Sequence, residues 1–119
     1  MRKPAHAVAE TRQFIRDAEH AGLTEAEIAA IVDIVSREPL AGDEVPGSGG
    51  VYKRRIAGRG KGKSGGFRIM TAYVGERAPV YLLALLSKGE RANFSRDEIS
   101  SMRVAVEAIR RHWKLRRMT

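Results

Sequence analysis

Residues 47–73 read GSGGVYKRRIAGRGKGKSGGFRIMTAY, a stretch without any acidic residue. Two segments of β-branched and aromatic residues enclose a run of glycines, which predicts a strand, a cationic loop and a second strand. Between residues 45 and 75 no Asp or Glu offsets seven cations, which are Lys53, Arg54, Arg55, Arg59, Lys61, Lys63 and Arg68. Because solvated surfaces normally mix both signs of charge, this block indicates a polyanionic partner.

Alternation along the first strand of this stretch places Lys53 and Arg55 on one face, whereas Tyr52, Arg54 and Ile56 share the other. The glycines of the loop would let the backbone approach phosphates closely, with the interspersed cations neutralising the phosphates. The alternative interpretation of these glycines is a flexible hairpin loop that contacts nothing.

On the amino-terminal side the sequence predicts two helices. Apolar residues recur at helical spacing from Thr11, and Gly22 is placed to end this first helix. A capping box of Thr24 and Glu27 opens a second helix, which Pro39 stops. Residues 5–9 are either an edge strand or a leader into the first helix, and residues 41–50 read as a polar linker.

On the carboxyl-terminal side, residues 67–74 predict a strand, and the continuous apolar run at 80–86 is typical of a central strand covered on both faces. Ser95 and Glu98 form a second capping box that opens a last helix, whose apolar side carries Ile99, Met102 and Val106. The tail at 110–119 is basic. The order of elements predicts an α+β fold without a parallel crossover.

Composition narrows the class of partner. The 119 residues predict one domain, 1–119, and a net charge of +8 favours nucleic acid, an anionic membrane surface or an acidic protein. Membrane is the weakest of these, because no apolar run reaches the roughly 20 residues of a span, and without a secretory signal we expect a cytoplasmic protein. The absence of cysteine excludes disulfides, Cys-ligated zinc and thiol catalysis.

Two nucleotide-binding motifs are close to the glycine-rich loop but do not fit. Residues 60–65 satisfy G-x-G-x-x-G, yet a strand follows where the dinucleotide fingerprint requires a helix. A P-loop ending in Lys63 and Ser64 would need glycine at position 57, where Ala57 stands. The three histidines show no ligand spacing. We therefore expect neither a cofactor nor a metal.

Residues 47–56, 58–69 and 80–95, followed by a capped helix, form an ordered set of motifs. This set resembles the RelE/HigB superfamily of bacterial type II toxins, with the HigB2-like branch the most similar, over about residues 10–110. The resemblance implies two helices packed on a small curved antiparallel sheet, with a C-terminal helix. It further implies a toxin that cleaves mRNA on the ribosome without a metal. The partner would be a cognate antitoxin of helix-turn-helix type, and the toxin would contact operator DNA only through this antitoxin.

The same resemblance assigns roles to individual cations. It implies that catalysis, by attack of the ribose 2′-hydroxyl on the adjacent phosphodiester, uses Lys53, Arg55, Arg68 and Lys88. It leaves as RNA-binding candidates Arg54, Arg59, Lys61, Lys63 and Arg91. The chain departs from the RelE branch where a tyrosine is expected, since the local residues are Phe94 and Ser95.

Two other functions stay open on the sequence. One is a basic RNA-binding or ribosome-binding module without catalysis, in which the same cations only hold phosphates. The other is a gyrase inhibitor of the ParE type, which shares this fold. For the antitoxin, two modes are open: acidic side chains laid over the cationic face, or replacement of the last helix by a helix of the antitoxin.

Overall fold

The computed structural model describes residues 5–57, 66–87, 89–91 and 93–117. These ranges form an α+β fold, as predicted, in which one mixed sheet has the strand order β1-β5-β4-β3-β2. The elements in chain order are β1 (Val8–Glu10), α1 (Arg12–His20), α2 (Glu25–Arg37), β2 (Asp43–Glu44), β3 (Val51–Ile56), β4 (Phe67–Ala72), β5 (Val80–Ser87) and α3 (Arg96–Arg117).

The local signals for the first two helices are confirmed. The Thr11 side chain accepts from the Phe14 N–H at the start of α1, and Gly22 follows this helix with a φ of 74°. Thr24 and Glu27 make the predicted capping box at the start of α2. These bonds satisfy N–H groups that a helix leaves unpaired in its first turn, so each helix begins where its cap stands.

The predicted antiparallel sheet differs from the structure at one edge, where a parallel strand makes the sheet mixed. β1 pairs with β5 in parallel, with Val8 opposite Val80, whereas the remaining neighbours are antiparallel. The two helices between β1 and the hairpin strands supply the long crossover that parallel pairing requires. At the other edge, β2 lies within the segment that the sequence indicated as linker, because a two-residue strand has no period to detect.

Each face of the sheet carries a separate apolar core. Helices α1 and α2 cover one face, with Phe14, Ile31 and Val35 against Ile69 and Leu82. Helix α3 covers the other face, where Met102 and Val106 belong to the cluster that contains Val51, Met70 and Leu86. Strand β5 contributes to both cores, which confirms the prediction of a central strand covered on both sides.

A register shift between β4 and β5 distributes the side chains of β5 between these cores. Met70 pairs with Ala84 but Thr71 pairs with Leu82, so that Leu83 is the extra residue. Leu83 and Ala84 consequently both belong to the α3 side. A bulge of this kind breaks the two-residue alternation.

Where β1 ends, helix α1 continues along the edge of β5. The Thr11 hydroxyl donates to the Leu82 carbonyl at 2.7 Å, and the Leu85 N–H donates to Asp17 Oδ2 at 2.9 Å. Side chains of α1 therefore satisfy backbone groups of β5 that a longer β1 would otherwise pair.

Helix α3 begins with the predicted capping box, since the Glu98 N–H donates to Ser95 Oγ and the Ser95 N–H donates to Glu98 Oε1. Further along, the Trp113 indole N–H donates to the Tyr81 hydroxyl at 2.9 Å. Arg110 donates to the Gly49 carbonyl. The basic tail is helical as far as Arg117. Among the described residues no helix is both long and apolar enough to cross a membrane.

Candidate nucleic-acid interface

Three of the predicted cations meet on the α3 face of the sheet, beside the amino-terminal end of α3. In the β3–β4 register Arg55 lies directly opposite Arg68, and Lys53 lies opposite Met70. Directly opposed side chains have Cβ atoms about 4.5–5.5 Å apart, and like charges in that position are destabilising. The arrangement therefore favours an anion bound between the two guanidinium groups. Lys53, Arg55 and Arg68 are called the cationic face below.

Asn93 fixes one member of the cationic face. Its Oδ1 accepts a hydrogen bond of 2.8 Å from Arg68 Nη1. Asn93 stands in the loop that leads into α3, so the start of this helix and the guanidinium of Arg68 are tied together. Part of the Arg68 donor fork stays available, because a guanidinium has five N–H donors.

Arg91 and Glu98 hold the loop around Asn93. Arg91 Nη1 and Nη2 donate to the two carboxylate oxygens of Glu98 at 2.7 and 2.6 Å. The bond from Arg91 lowers the pKa of Glu98 to about 2, with a further contribution from the Ser95 backbone N–H. In turn, the bond to Glu98 raises the pKa of Arg91. The pair of Arg91 with Glu98 therefore positions this loop, and the predicted contact of Arg91 with RNA stays a prediction.

Arg54, a member of the predicted RNA-binding set, is largely buried. It lies on the α1–α2 face, away from Lys53 and Arg55, and is only 9% exposed. Its Nη1 donates to the Glu38 carbonyl at 2.8 Å, where α2 has just ended. Burial lowers the pKa of Arg54, and the charge of Glu38 partly opposes that shift. A cation in this position stabilises the end of α2, on the face of the sheet opposite the cationic face, and its contact with RNA stays a prediction.

Two acidic residues of β2 lie beside β3, although the sequence separates them from that strand. Asp43 of β2 lies opposite Lys53 in the sheet, and Glu44 lies opposite Tyr52. Gly42, with a φ of 107°, permits this approach, because an added Cβ would come within 2.6 Å of the Lys53 carbonyl oxygen. Among the described residues neither Asp43 nor Lys53 takes part in an ion pair.

A cleft of about 380 Å³ opens between β2 and the start of α3. Its lining includes Asp43 and Lys53 on one side and Asn93 and Phe94 on the other, with Met70 between them. Sequence reasoning missed Asp43 and Asn93. Nothing in the sequence indicates Asp43, since its role depends on pairing with β3, whereas Asn93 could have been noticed as a polar residue just before a helix cap.

The remaining predicted site residues lie outside the described part of the chain. They are Lys88, Arg59, Lys61 and Lys63. Within the described ranges no group of three or more His, Asp or Glu side chains is arranged to hold a metal ion. The described residues of the cationic face are Lys and Arg, with Asn93 and Asp43 beside them, and such cations form hydrogen bonds to phosphate oxygens.

Comparison with known proteins agrees with this architecture. The model of the family described as the RelE toxin of the RelE/RelB toxin–antitoxin system matches residues 6–116. Among solved structures, a double arginine-to-alanine mutant of the E. coli toxin RelE in the free state has a TM-score of 0.52 and 17% sequence identity. That match covers 85% of this chain and 96% of the other.

Proposed function

Because the chain belongs to the RelE toxin family and is thus a toxin of a toxin–antitoxin system, we propose that it is an endoribonuclease that cleaves mRNA on the ribosome. The observation that carries the proposal is the pair Arg55 and Arg68, directly opposed on one face with Lys53 two residues away. Among the described residues neither arginine of this pair has an acidic partner, and the nearest carboxylate in the register is Asp43, opposite Lys53. The substrate would supply the anion that the pair lacks.

The proposed reaction is an internal transesterification of RNA. The ribose 2′-oxygen forms a bond to phosphorus while the bond from phosphorus to the 5′-oxygen of the next nucleotide breaks, which gives a 2′,3′-cyclic phosphate and a 5′-hydroxyl. One proton leaves the 2′-hydroxyl and one is delivered to the 5′-oxygen. No metal is required, because cations can stabilise the charge that builds on the phosphoryl oxygens.

The residues divide by their chemistry. Arg55 and Arg68 suit the neutralisation of non-bridging phosphate oxygens, because a guanidinium donates two parallel hydrogen bonds and keeps its proton. Lys53 suits proton transfer, since an amine can exchange a proton in the transition state. Lys88 remains a predicted member of this site, and Arg59, Lys61 and Lys63 remain predicted contacts to the RNA backbone.

The test is induction of the toxin in a bacterium, with primer extension on recovered messages. We expect growth arrest with discrete cleavage sites inside translated frames. Lys53→Ala with Arg68→Ala should abolish both. The matched control is Arg12→Ala with Arg16→Ala, which removes two exposed cations from α1, on the other side of the sheet.

Three outcomes would contradict the proposal. A folded Lys53→Ala, Arg68→Ala variant that stays fully toxic removes these residues from the mechanism. Growth arrest with intact messages indicates the RNA-binding or ribosome-binding module. Intact messages together with DNA damage indicate the gyrase inhibitor.

The family also implies a cognate antitoxin. We propose that this partner is of helix-turn-helix type and that operator DNA is contacted through it alone. A small reading frame next to this one, encoding such a protein, would support the proposal. Co-expression of that protein should restore growth after induction of the toxin.

A further inference from the structure

The cleft beside the cationic face has the composition of a small-molecule site. Its volume of about 380 Å³ is at the lower end of the range for such sites, about 300–1,000 Å³. Met70, Phe94 and Ile99 give it apolar surface, and Asp43 adds a carboxylate. Lys53 also lines the cleft, opposite Asp43. Apolar walls with a few polar groups suit a flat heterocycle that carries hydrogen-bond donors.

The sheet register places this cleft one step from the proposed scissile phosphate. Asp43, Lys53 and Met70 form one row across β2, β3 and β4, and Arg55 and Arg68 form the next row on the same face. Rows on one face are two residues apart, which is about 6.8 Å along a strand. A nucleotide whose phosphate lies between the arginines can therefore place its base in the cleft.

We propose that the cleft binds a guanine base of the RNA, with the carboxylate of Asp43 accepting hydrogen bonds from the Watson–Crick edge. Guanine presents a ring N–H and an amino group side by side, and an ionised carboxylate is an acceptor with two oxygens. Uracil presents a carbonyl on each side of its ring N–H, and these oxygens would face the carboxylate. This inference rests on the proposed function for its substrate, but its test does not require cleavage.

Glu44 provides a matched control. It is the next residue of β2 and also borders the cleft, but strand alternation places its side chain with Tyr52 on the opposite face. Asp43→Asn and Glu44→Gln change the net charge equally, so any general effect on phosphate binding is the same in both. A difference between the two variants reports on contact with the base.

The experiment measures binding of nucleoside 3′-monophosphates to the intact toxin by NMR of labelled methionine methyl groups. Met70 is the reporter, because it lies at the floor of the cleft, where it is 1% exposed. Met102 of α3 does not line the cleft and is the internal reference. We expect guanosine 3′-monophosphate to shift the Met70 signal and to bind about tenfold more tightly than the uridine nucleotide. The inosine nucleotide, which lacks the amino group, should fall between them.

Asp43→Asn should remove the preference for guanosine, while Glu44→Gln should retain it. Equal affinities for the guanosine and uridine nucleotides in the unmodified toxin would overturn the inference, as would equal behaviour of the two variants. Met70 shifts without RNA cleavage would leave the base site standing and refute the nuclease. RNA cleavage by a toxin whose Met70 signal shows no preference for guanosine would support the nuclease and refute the base site.

Discussion

Arg54 and Arg55 are neighbours in sequence, but their side chains lie on opposite faces of the sheet. Arg54 is bonded to the end of α2, whereas Arg55 lies opposite another arginine and has no acidic partner among the described residues. The two positions therefore allow stability and the proposed RNA binding to be tested separately, although both residues carry the same charge.

We expect Arg54→Ala to lower the free energy of unfolding by about 2 kcal/mol, because it removes a charged hydrogen bond to a carbonyl. Arg55→Ala should leave stability unchanged or raise it slightly, since it relieves a like-charge pair. Urea unfolding measures the first effect, and anisotropy with a labelled RNA measures the loss of binding in Arg55→Ala. Equal urea midpoints for Arg54→Ala and the unmodified toxin would show that the Glu38 contact contributes nothing.

Glu98 makes stability depend on pH. Its pKa falls from the usual 4.5 to about 2 on folding, so its ionised form stabilises the fold. That contribution is complete above the unfolded pKa of about 4.5 and is lost as pH falls toward 2. We expect Glu98→Gln to cost about 1 kcal/mol at neutral pH, from the cap and a partly exposed ion pair, and nothing near pH 2.

Thermal unfolding of both proteins across this pH range measures the difference. Asp97→Asn is the control, because it removes a carboxylate from the same first turn of α3 without touching the Arg91 pair. A loss that is the same for Glu98→Gln and Asp97→Asn at every pH would mean that only the helix dipole is involved.

At the scale of elements, helix α1 takes the place of a strand along β5. We expect Asp17→Ala to cost about 2 kcal/mol, because the Leu85 N–H loses its acceptor at a buried position. Asp17→Asn keeps an acceptor oxygen and should cost clearly less. Hydrogen exchange at the Leu85 amide is the direct readout, and unchanged protection in Asp17→Ala would show that another group accepts this bond.

The sequence predicted the elements whose signals are local. Two helix starts could be predicted because a capping box is a contact between residues three apart. The pairs are Thr24 with Glu27 and Ser95 with Glu98. The pairing of β1 with β5 and of β2 with β3 is not visible in this way, since no local pattern specifies a partner strand. For the same reason alternation predicts that Lys53 and Arg55 share a face. The position of Asp43 opposite Lys53 and the hydrogen bond from Arg54 to the end of α2 depend on distant residues and could not be predicted.

At the scale of the whole molecule, the net charge of +8 favours an antitoxin with an acidic binding surface. We expect the antitoxin to lay acidic side chains over the cationic face. Its affinity should then fall at least about tenfold between about 0.1 M and 0.5 M salt, because exposed charges are screened beyond about 10 Å at the lower concentration. A triple variant should weaken binding of the antitoxin by a similar factor. It combines Lys53→Ala, Arg55→Ala and Arg68→Ala.

Titration calorimetry of the two proteins at both salt concentrations makes this measurement. An antitoxin that binds equally well at high salt, and equally well to the triple variant, would instead replace α3 and bury its own apolar anchors on the sheet. Arg12→Ala with Arg16→Ala again controls for the loss of charge alone.

The parallel pairing of β1 with β5 also governs the order of folding. Val8 and Val80 are paired although they are far apart in sequence, so β1 has no partner strand until β5 has been synthesised. The same holds for α1 and α2, whose apolar sides pack on β4 and β5. Contacts of such long sequence separation form slowly, because a large loop must close first. The cationic face, by contrast, belongs to the β3–β4 hairpin, whose paired residues Arg55 and Arg68 are close in sequence. It can therefore form from local contacts, and an antitoxin that recognises this face can meet the chain before β1 has docked on β5.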